Sequence, residues 1–296
     1  DPDQQSAFLA RLTQAEKAAL LHDWSFWARE AQLPPPGDWA TWYINAGRGF
    51  GKTRTGAQVT NWLMFQGLCA GRFALVGQTA ADVRDVMVEG ESGILACAPP
   101  WFRPKYEPSK RRLTWPNGAI ATTYSGDEPE QLRGPQHGGG WFDELAKMRY
   151  AQEAWDNYLF GLRLGPDPRS LVTTTPRPIK VIRELLKDGG TAVTGGTSYE
   201  NLVNLAPVYR KNVIARYEGT RLGRQELMAQ LLDDTPGALW TLKQIEDLRV
   251  AESPKLLRIV VGVDPKAGGD AQPDDDAPAE TGIVVEGKGA DGHGYT

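Results

Sequence analysis

Lys52 stands among glycines at 47, 49, 51 and 56, with Thr53 and Thr55 beside it, in the run NAGRGFGKTRTG. A glycine-rich turn can wrap an anion with backbone N–H groups, because glycine takes left-handed dihedrals without steric cost. The lysine would neutralise the β- and γ-phosphates of a nucleotide, and the Thr53 hydroxyl would hold Mg²⁺. The pattern G-x-x-x-x-G-K-[ST] is missed at its first position, where Ala46 stands, and Gly47 comes one residue later. A glycine-rich turn carrying a surface lysine is the plain alternative. Further on, GGGWFDELAKM supplies an acidic pair. Asp143 would contact a hydrated magnesium, and Glu144 would polarise an attacking water as general base. The bland reading of that pair is a cap on a helix N-terminus, where negative charge is favourable.

These groups act together only if the fold brings them together. Trp42-Tyr43-Ile44 reads as a short buried strand, and Thr53 to Gln66 carries Val59, Trp62, Leu63 and Phe65 at helical spacing, so the glycines fall in a strand-to-helix turn. Strand-like runs recur at 72–77, 119–124 and 170–175, with helical stretches at 80–89 and 151–160 between them. That alternation predicts a mostly parallel α/β sheet. The lead-in to Asp143 is brief, Trp141 and Phe142 after three glycines, which makes a weak strand by propensity. Residues 6–31 suit one or two amphipathic helices, ended by LPPPGDW. Residues 205–250 are helical and charged, with Pro236-Gly237 as punctuation. LRIVVGVDP then opens a second domain, and TGIVVEGKG supplies a further strand.

With 296 residues, 41% hydrophobic and 24% charged, the chain has the composition of a globular protein with a sizeable core. Cys69 and Cys97 are its only cysteines, and no apolar stretch reaches the length of a membrane span, which suits a reducing cytoplasm. The net charge of -4 argues against a chain basic all over and leaves room for a local DNA-binding patch. KYEPSKRR, residues 105–112, is the candidate, with a solvated charged turn as its alternative.

The ordered set LPPPGDW, AGRGFGKTRTGA, LVGQTAADVRDVMVEG, LRGPQHGGGWFDELAKM, TTTPRP and GTRLGRQEL followed by PGALW resembles the large terminase subunit of tailed bacteriophages and related gene transfer agents. That family is the motor that packages double-stranded DNA. The resemblance covers nearly the whole chain. It implies an N-terminal helical extension over 1–40, a RecA-like α/β P-loop ATPase of the additional-strand type over 41–203, and a helical linker or lid over 204–255. The start of a ribonuclease H-like nuclease would occupy 256–296.

Carried onto this sequence, the resemblance makes Gly47, Gly49, Gly51, Lys52 and Thr53 a Walker A motif. Asp143 and Glu144 become Walker B, with Thr53 and Asp143 on the ATPase magnesium. TTTPRP resembles the motif that couples hydrolysis to movement. Thr174 and Thr175 could sense the γ-phosphate there, although β-branched residues finishing a buried strand are the plain reading. Gln32 would read adenine, with stacking by Trp39 or simple packing in competition. Arg133 resembles a finger donated in trans to a neighbouring subunit. Arg48, inside the phosphate loop, competes for that role, and a cap on a helix C-terminus is the plain reading of Arg133. Asp264 sits where ribonuclease H-like nucleases place their first metal-binding carboxylate. Two Mg²⁺ or Mn²⁺ ions about 4 Å apart need several such groups, whereas Asp274, Asp275 and Asp276 read as solvated loop charge. The implied cofactors are ATP and Mg²⁺, with Mg²⁺ or Mn²⁺ for the nuclease. The implied partners are double-stranded DNA, the portal protein of a procapsid, a small terminase subunit and further copies in a pentameric ring, in the cytoplasm of a bacterial host and away from any membrane. A P-loop kinase or a non-enzymatic nucleotide-binding scaffold is the rival; a kinase would not need the Asp143–Glu144 pair.

Overall fold

The computed structural model describes residues 7–8, 10–232, 244, 248, 250, 254–264 and 282–295. The chain divides into two compact units, Asp1–Leu232 and Asp233–Thr296.

The first unit is built on one eight-stranded sheet. Its strands are β1 (Thr41–Ala46), β2 (Arg72–Gly77), β3 (Lys105–Glu107), β4 (Arg112–Thr114), β5 (Ile120–Ser125), β6 (Gly139–Asp143), β7 (Arg169–Thr174) and β8 (Thr191–Gly196). They lie in the order β3-β4-β5-β2-β6-β7-β1-β8. β1 runs parallel to β7 and β8, β2 parallel to β5 and β6, and β6 parallel to β7. The mostly parallel sheet expected from the sequence is therefore present. The hairpin β3–β4 adds an antiparallel edge, and the basic run at 105–112 forms most of it, rather than a bare turn.

Both faces of the central strands are buried, as parallel strands require, while the edge strands β3 and β8 are partly exposed. Helix α2 (Lys52–Phe65) covers the face that presents Trp42, Ile44, Leu75, Trp141 and Leu171. Helices α3 (Ala151–Gly161) and α4 (Lys180–Lys187) cover the face that presents Tyr43, Val76, Phe142 and Val172. Upstream of the sheet, α1 (Gln14–Leu21) begins with a capping box between Thr13 and Glu16. The helical stretch anticipated at 80–89 is a single α-turn, Ala80–Asp82, running into a π-helical segment, Val83–Val88.

β6 is fully buried despite its glycines, and the reason is steric. A Cβ at Gly138 would lie 2.1 Å from the Cys69 carbonyl oxygen, one at Gly139 2.6 Å from that of Arg169, and one at Gly140 2.7 Å from the Tyr158 ring. Propensity misjudges this strand because its neighbours leave no room for side chains.

In the second unit, β9 (Leu256–Asp264) pairs antiparallel with β10 (Gly282–Gly289), which pairs with β11 (Gly294–Tyr295). Asp264 closes β9 opposite Gly282. The acidic run Asp274, Asp275 and Asp276, and most of the stretch 233–253 with Pro236-Gly237, lie outside the described residues.

Candidate active site

β1 ends at Ala46 and α2 begins at Lys52, so the glycine-rich turn joins strand to helix. Gly49 (φ +80°) and Gly51 (φ +99°) are left-handed, a conformation that a side chain would strain. Gly47 is needed for a different reason. A Cβ there would stand 2.5 Å from the Leu227 carbonyl oxygen and 3.0 Å from that of Glu226. The segment 226–229 lies directly on the turn: the Arg48 N–H donates to the Glu226 carbonyl at 2.7 Å, and Asn45 Nδ2 donates to the Ala229 carbonyl at 3.1 Å. The displaced first glycine thus marks close backbone contact.

Lys52 is buried, and its Nζ donates to the carbonyls of Ala46 (3.0 Å) and Gly47 (3.3 Å) and to Thr175 Oγ1 (3.0 Å). It lies 3.5 Å from Glu144 Oε1. Burial lowers the lysine's pKa, opposed by the negative charges of Glu144 and Asp143. Thr53 Oγ1 donates to Asp143 Oδ2 at 3.1 Å, and Thr173 Oγ1 donates to Asp143 Oδ1 at 2.7 Å. Burial, together with the adjacent Glu144, pushes the Asp143 carboxyl up to about 6. Glu144 has the left-handed φ of +56°, uncommon for a side-chain-bearing residue and a feature that clusters at functional sites. Its burial would raise its pKa, but Lys52, Lys147 and the Thr175 N–H outweigh that and hold it below the usual carboxylate range.

Two adjoining cavities meet at these groups. One, of about 880 Å³, is lined by the turn residues Arg48 to Arg54 together with Gln32, Glu144 and Lys147. A smaller one, of about 230 Å³, is lined by Thr53, Gln78, Asp82, Asp143, Glu144 and Lys147. Lysine, hydroxyl, buried carboxylate and half-buried carboxylate therefore converge from the start of α2 and the ends of β6 and β7 on one cleft.

The other anticipated residues fall into place unequally. Thr175 touches Lys52 and donates its N–H to Glu144 Oε2 at 3.2 Å, whereas Thr174 is turned inward and accepts from the Ala146 N–H at 3.2 Å. Gln32 lines the larger cavity with its amide bonded to Thr55 Oγ1 at 3.0 Å. Trp39 is buried beneath the Arg169 guanidinium, whose carbon lies 4.5 Å from the ring centroid, and it does not line that cavity. Trp24 and Trp27 do, and sequence reasoning misses them because they read as helix-face aromatics. Arg29 is missed as well. It donates to the Phe50 carbonyl at 2.5 Å and to Asn201 Oδ1 at 2.9 Å, a contact that spacing along the chain could not reveal. Arg48 lines the cavity with its side chain 3.4 Å from Glu226. Arg133 follows the short 3₁₀ turn Pro129–Leu132, is 73% exposed, lies 3.5 Å from Glu130 and does not line either cavity.

Residues 43–247 match the family described as terminase large subunit, T4likevirus-type, N-terminal. The chain belongs to the terminase large subunit family. Among solved structures, it is similar to the large terminase ATPase domain of Thermus phage P74-26, at 15% identity, 69% of this chain, 94% of that chain and a TM-score of 0.52. It is also similar to the large terminase of a second, thermophilic bacteriophage in complex with ADP, at 18% identity, 73% of this chain, 53% of that chain and a TM-score of 0.54. The same thermophilic-phage protein in complex with ATP-gamma-S aligns at 17% identity, 73% of this chain, 52% of that chain and a TM-score of 0.51. At these identities the likeness establishes a shared α/β, RecA-like fold. This terminase chain spans about half the length of that thermophilic-phage protein. No curated protein matches it.

The donor set fits a magnesium ion that arrives with a nucleotide. Mg²⁺ prefers one or two carboxylates, hydroxyls, waters and phosphate oxygens over a cage of protein ligands. Thr53 and Asp143 offer one hydroxyl and one carboxylate within 3.1 Å of each other, on a carboxylate that burial already makes costly to ionise without a nearby cation.

Proposed function

We propose that this terminase chain binds and hydrolyses ATP to drive double-stranded DNA into a viral procapsid. The observation that carries the reading is the convergence of Lys52 and Thr53, from the start of α2, with Asp143, Glu144 and Thr175, from the ends of β6 and β7, onto one cleft. Glycine-turn N–H groups and Lys52 would bind the phosphates. Lys52 would exchange its present carbonyl acceptors for phosphate oxygens, and Glu144 would then orient and deprotonate the attacking water. Magnesium, held by Thr53 and Asp143, would neutralise charge that develops on the β- and γ-phosphates. Thr175, bonded to both Lys52 and Glu144, would pass the state of the site to the segment that follows β7. Gln32 would meet the base, and Arg48 or Arg133 would supply the positive finger.

The proposal extends to a portal protein, a small terminase subunit, a pentameric ring and the cytoplasm of a bacterial host as the setting, and membership of the terminase family is what supports it. Among the described residues, no helix is long and apolar enough to cross a membrane. A nuclease role would begin at Asp264, using Mg²⁺ or Mn²⁺, and would need several further carboxylates.

The deciding experiment is ATP turnover, with and without double-stranded DNA, in the wild type and in Glu144→Gln. The amide keeps the shape of the side chain and cannot act as a base, so nucleotide binding should persist while turnover falls by about 10²-fold or more. Equal loss of binding and turnover would make Glu144 structural and remove the support for hydrolysis.

A further inference from the structure

Lys147 lines both cavities, and its Nζ lies 3.4 Å from Glu144 Oε2. Nothing in the scheme above uses it. The turn that carries it is fixed to β7 at two points and closed by one bond of its own. The Glu144 N–H donates to the Thr173 carbonyl at 2.6 Å, the Ala146 N–H to Thr174 Oγ1 at 3.2 Å, and the Lys147 N–H to the Glu144 carbonyl at 2.8 Å. With Glu144 in the left-handed region, this tight turn brings the Lys147 side chain back over the carboxylate that opens it. The lysine is 28% exposed, and Glu144 is the only acidic group it pairs with among the described residues.

In this arrangement Glu144 lies between two ammonium groups: Lys52, from α2, on Oε1 and Lys147, from its own turn, on Oε2, together with the Thr175 N–H. The two lysines differ in what a nucleotide does to them. Lys52 sits in the phosphate-binding turn, so a triphosphate competes directly for its Nζ. Lys147 is held on the opposite oxygen by a turn that the phosphates need not disturb.

We propose that Lys147 is the positioning residue for Glu144, the group that keeps the carboxylate aligned once Lys52 has been drawn to the phosphates. A base held by one fixed cation stays at one place over the smaller cavity, where water can approach. A base without it is free to follow Lys52 toward the phosphates or to swing into solvent, and misplacement of about 1 Å can cost on the order of 10²-fold in rate. The proposal rests on the ATPase reading of the same site.

The test replaces Lys147 by Met, which keeps the length of the stem and removes the charge, and by Arg, which keeps the charge. Turnover by the wild type is measured first; if it is absent, the ATPase reading itself fails and not merely the role of Lys147. If the wild type turns over, Lys147→Met should lower kcat by about 10- to 100-fold, with affinity for ATP-gamma-S and for ADP each within about 3-fold of wild type and thermal unfolding unchanged. Lys147→Arg should recover most of the rate. In Glu144→Gln, where no carboxylate remains to be held, adding Lys147→Met should change the residual single-turnover rate by less than about 2-fold. Unchanged or raised kcat in Lys147→Met would overturn the proposal. So would a selective loss of ATP-gamma-S affinity, which would place Lys147 on the γ-phosphate, and so would a full additional loss in the Glu144→Gln background.

Discussion

Gly56→Ala tests the packing that carries Asp143 into the site. Gly56 lies in the buried face of α2, and a Cβ there would stand 2.1 Å from Trp141 Cε2 and 2.2 Å from Cζ2. Carbon atoms rest about 3.5 Å apart, so the ring would have to retreat by roughly 1.4 Å, the difference between 3.5 and 2.1. Trp141 is fully buried, and its Nε1 donates to Thr173 Oγ1 at 2.8 Å; the same hydroxyl donates to Asp143 at 2.7 Å. Overpacking a filled core costs about 1–3 kcal/mol. A loosened indole hydrogen bond costs about 1 kcal/mol, close to what alanine gains over glycine in a helix interior. The net expectation is a loss of about 1–3 kcal/mol, with a weaker magnesium dependence of turnover because Thr173 moves with the ring. Urea unfolding and a magnesium titration of ATPase rate measure the two effects. Gly189→Ala, where no atom lies within 4 Å of the added carbon, is the control and should stay within about 0.5 kcal/mol. Trp141→Leu added to Gly56→Ala should return part of the stability. A Gly56→Ala protein at least as stable as wild type would refute the contact between α2 and β6 on which the placement of Asp143 depends.

Lys52→Ala should abolish ATP turnover and leave the fold intact, since the lysine's partners are turn carbonyls, the Thr175 hydroxyl and the Glu144 carboxylate rather than the apolar core; wild-type turnover in a folded variant would remove Lys52 from the site. Arg133→Ala should bind ATP normally and lose only the turnover that depends on assembly, and mixed assemblies with Glu144→Gln should regain part of it, because some intact arginines then face intact glutamates. No recovery in verified mixed assemblies would favour the local role beside Glu130. His137 is buried between the Tyr124 and Tyr158 rings, and burial pushes its pKa down to about 4. Since the unfolded value is about 6.5, the unfolded chain takes up the proton first, so stability is full above about pH 6.5 and falls as pH drops toward 4. A gap of 6.5 to 4 corresponds to about 3 kcal/mol, and His137→Phe should flatten that limb of the stability profile; an unchanged limb would place the titration elsewhere.

The parts of this site that were legible in the sequence are those whose reasons are local. The turn at 47–53 was readable because glycine, lysine and threonine at those spacings serve one chemistry, and the runs on either side marked strand and helix. The parts that were not legible have reasons elsewhere in the fold. β6 looked weak because its glycines answer to Cys69, Arg169 and Tyr158. β8, TAVTGG, is a half-buried edge strand with little apolar content and no strong pattern. The shift of the first loop glycine from 46 to 47 looked like a deviation, and its cause is the backbone at 226–227.

The carbonyls of the glycine-rich turn join these two kinds of reason. Those of Ala46 and Gly47 are bonded by Lys52 itself, and that of Gly51 by the Thr55 N–H within α2. The three between them depend on distant segments: Arg48 on Ser198 Oγ at 2.5 Å, Gly49 on Asn201 Nδ2 at 2.7 Å, and Phe50 on Arg29 Nη2 at 2.5 Å. A planar peptide whose carbonyl is fixed on one side presents its N–H on the other. Ser198, Asn201 and Arg29 therefore turn the N–H groups of Gly49, Phe50 and Gly51 to the opposite side, where that of Phe50 donates to the Gly47 carbonyl at 3.2 Å, while Lys52 holds the first two carbonyls. The composition of the turn permits this path, and residues 29 and 198–201 hold it; under the proposed ATPase reading, Gly49 and Gly51 would be the N–H donors that meet a phosphate.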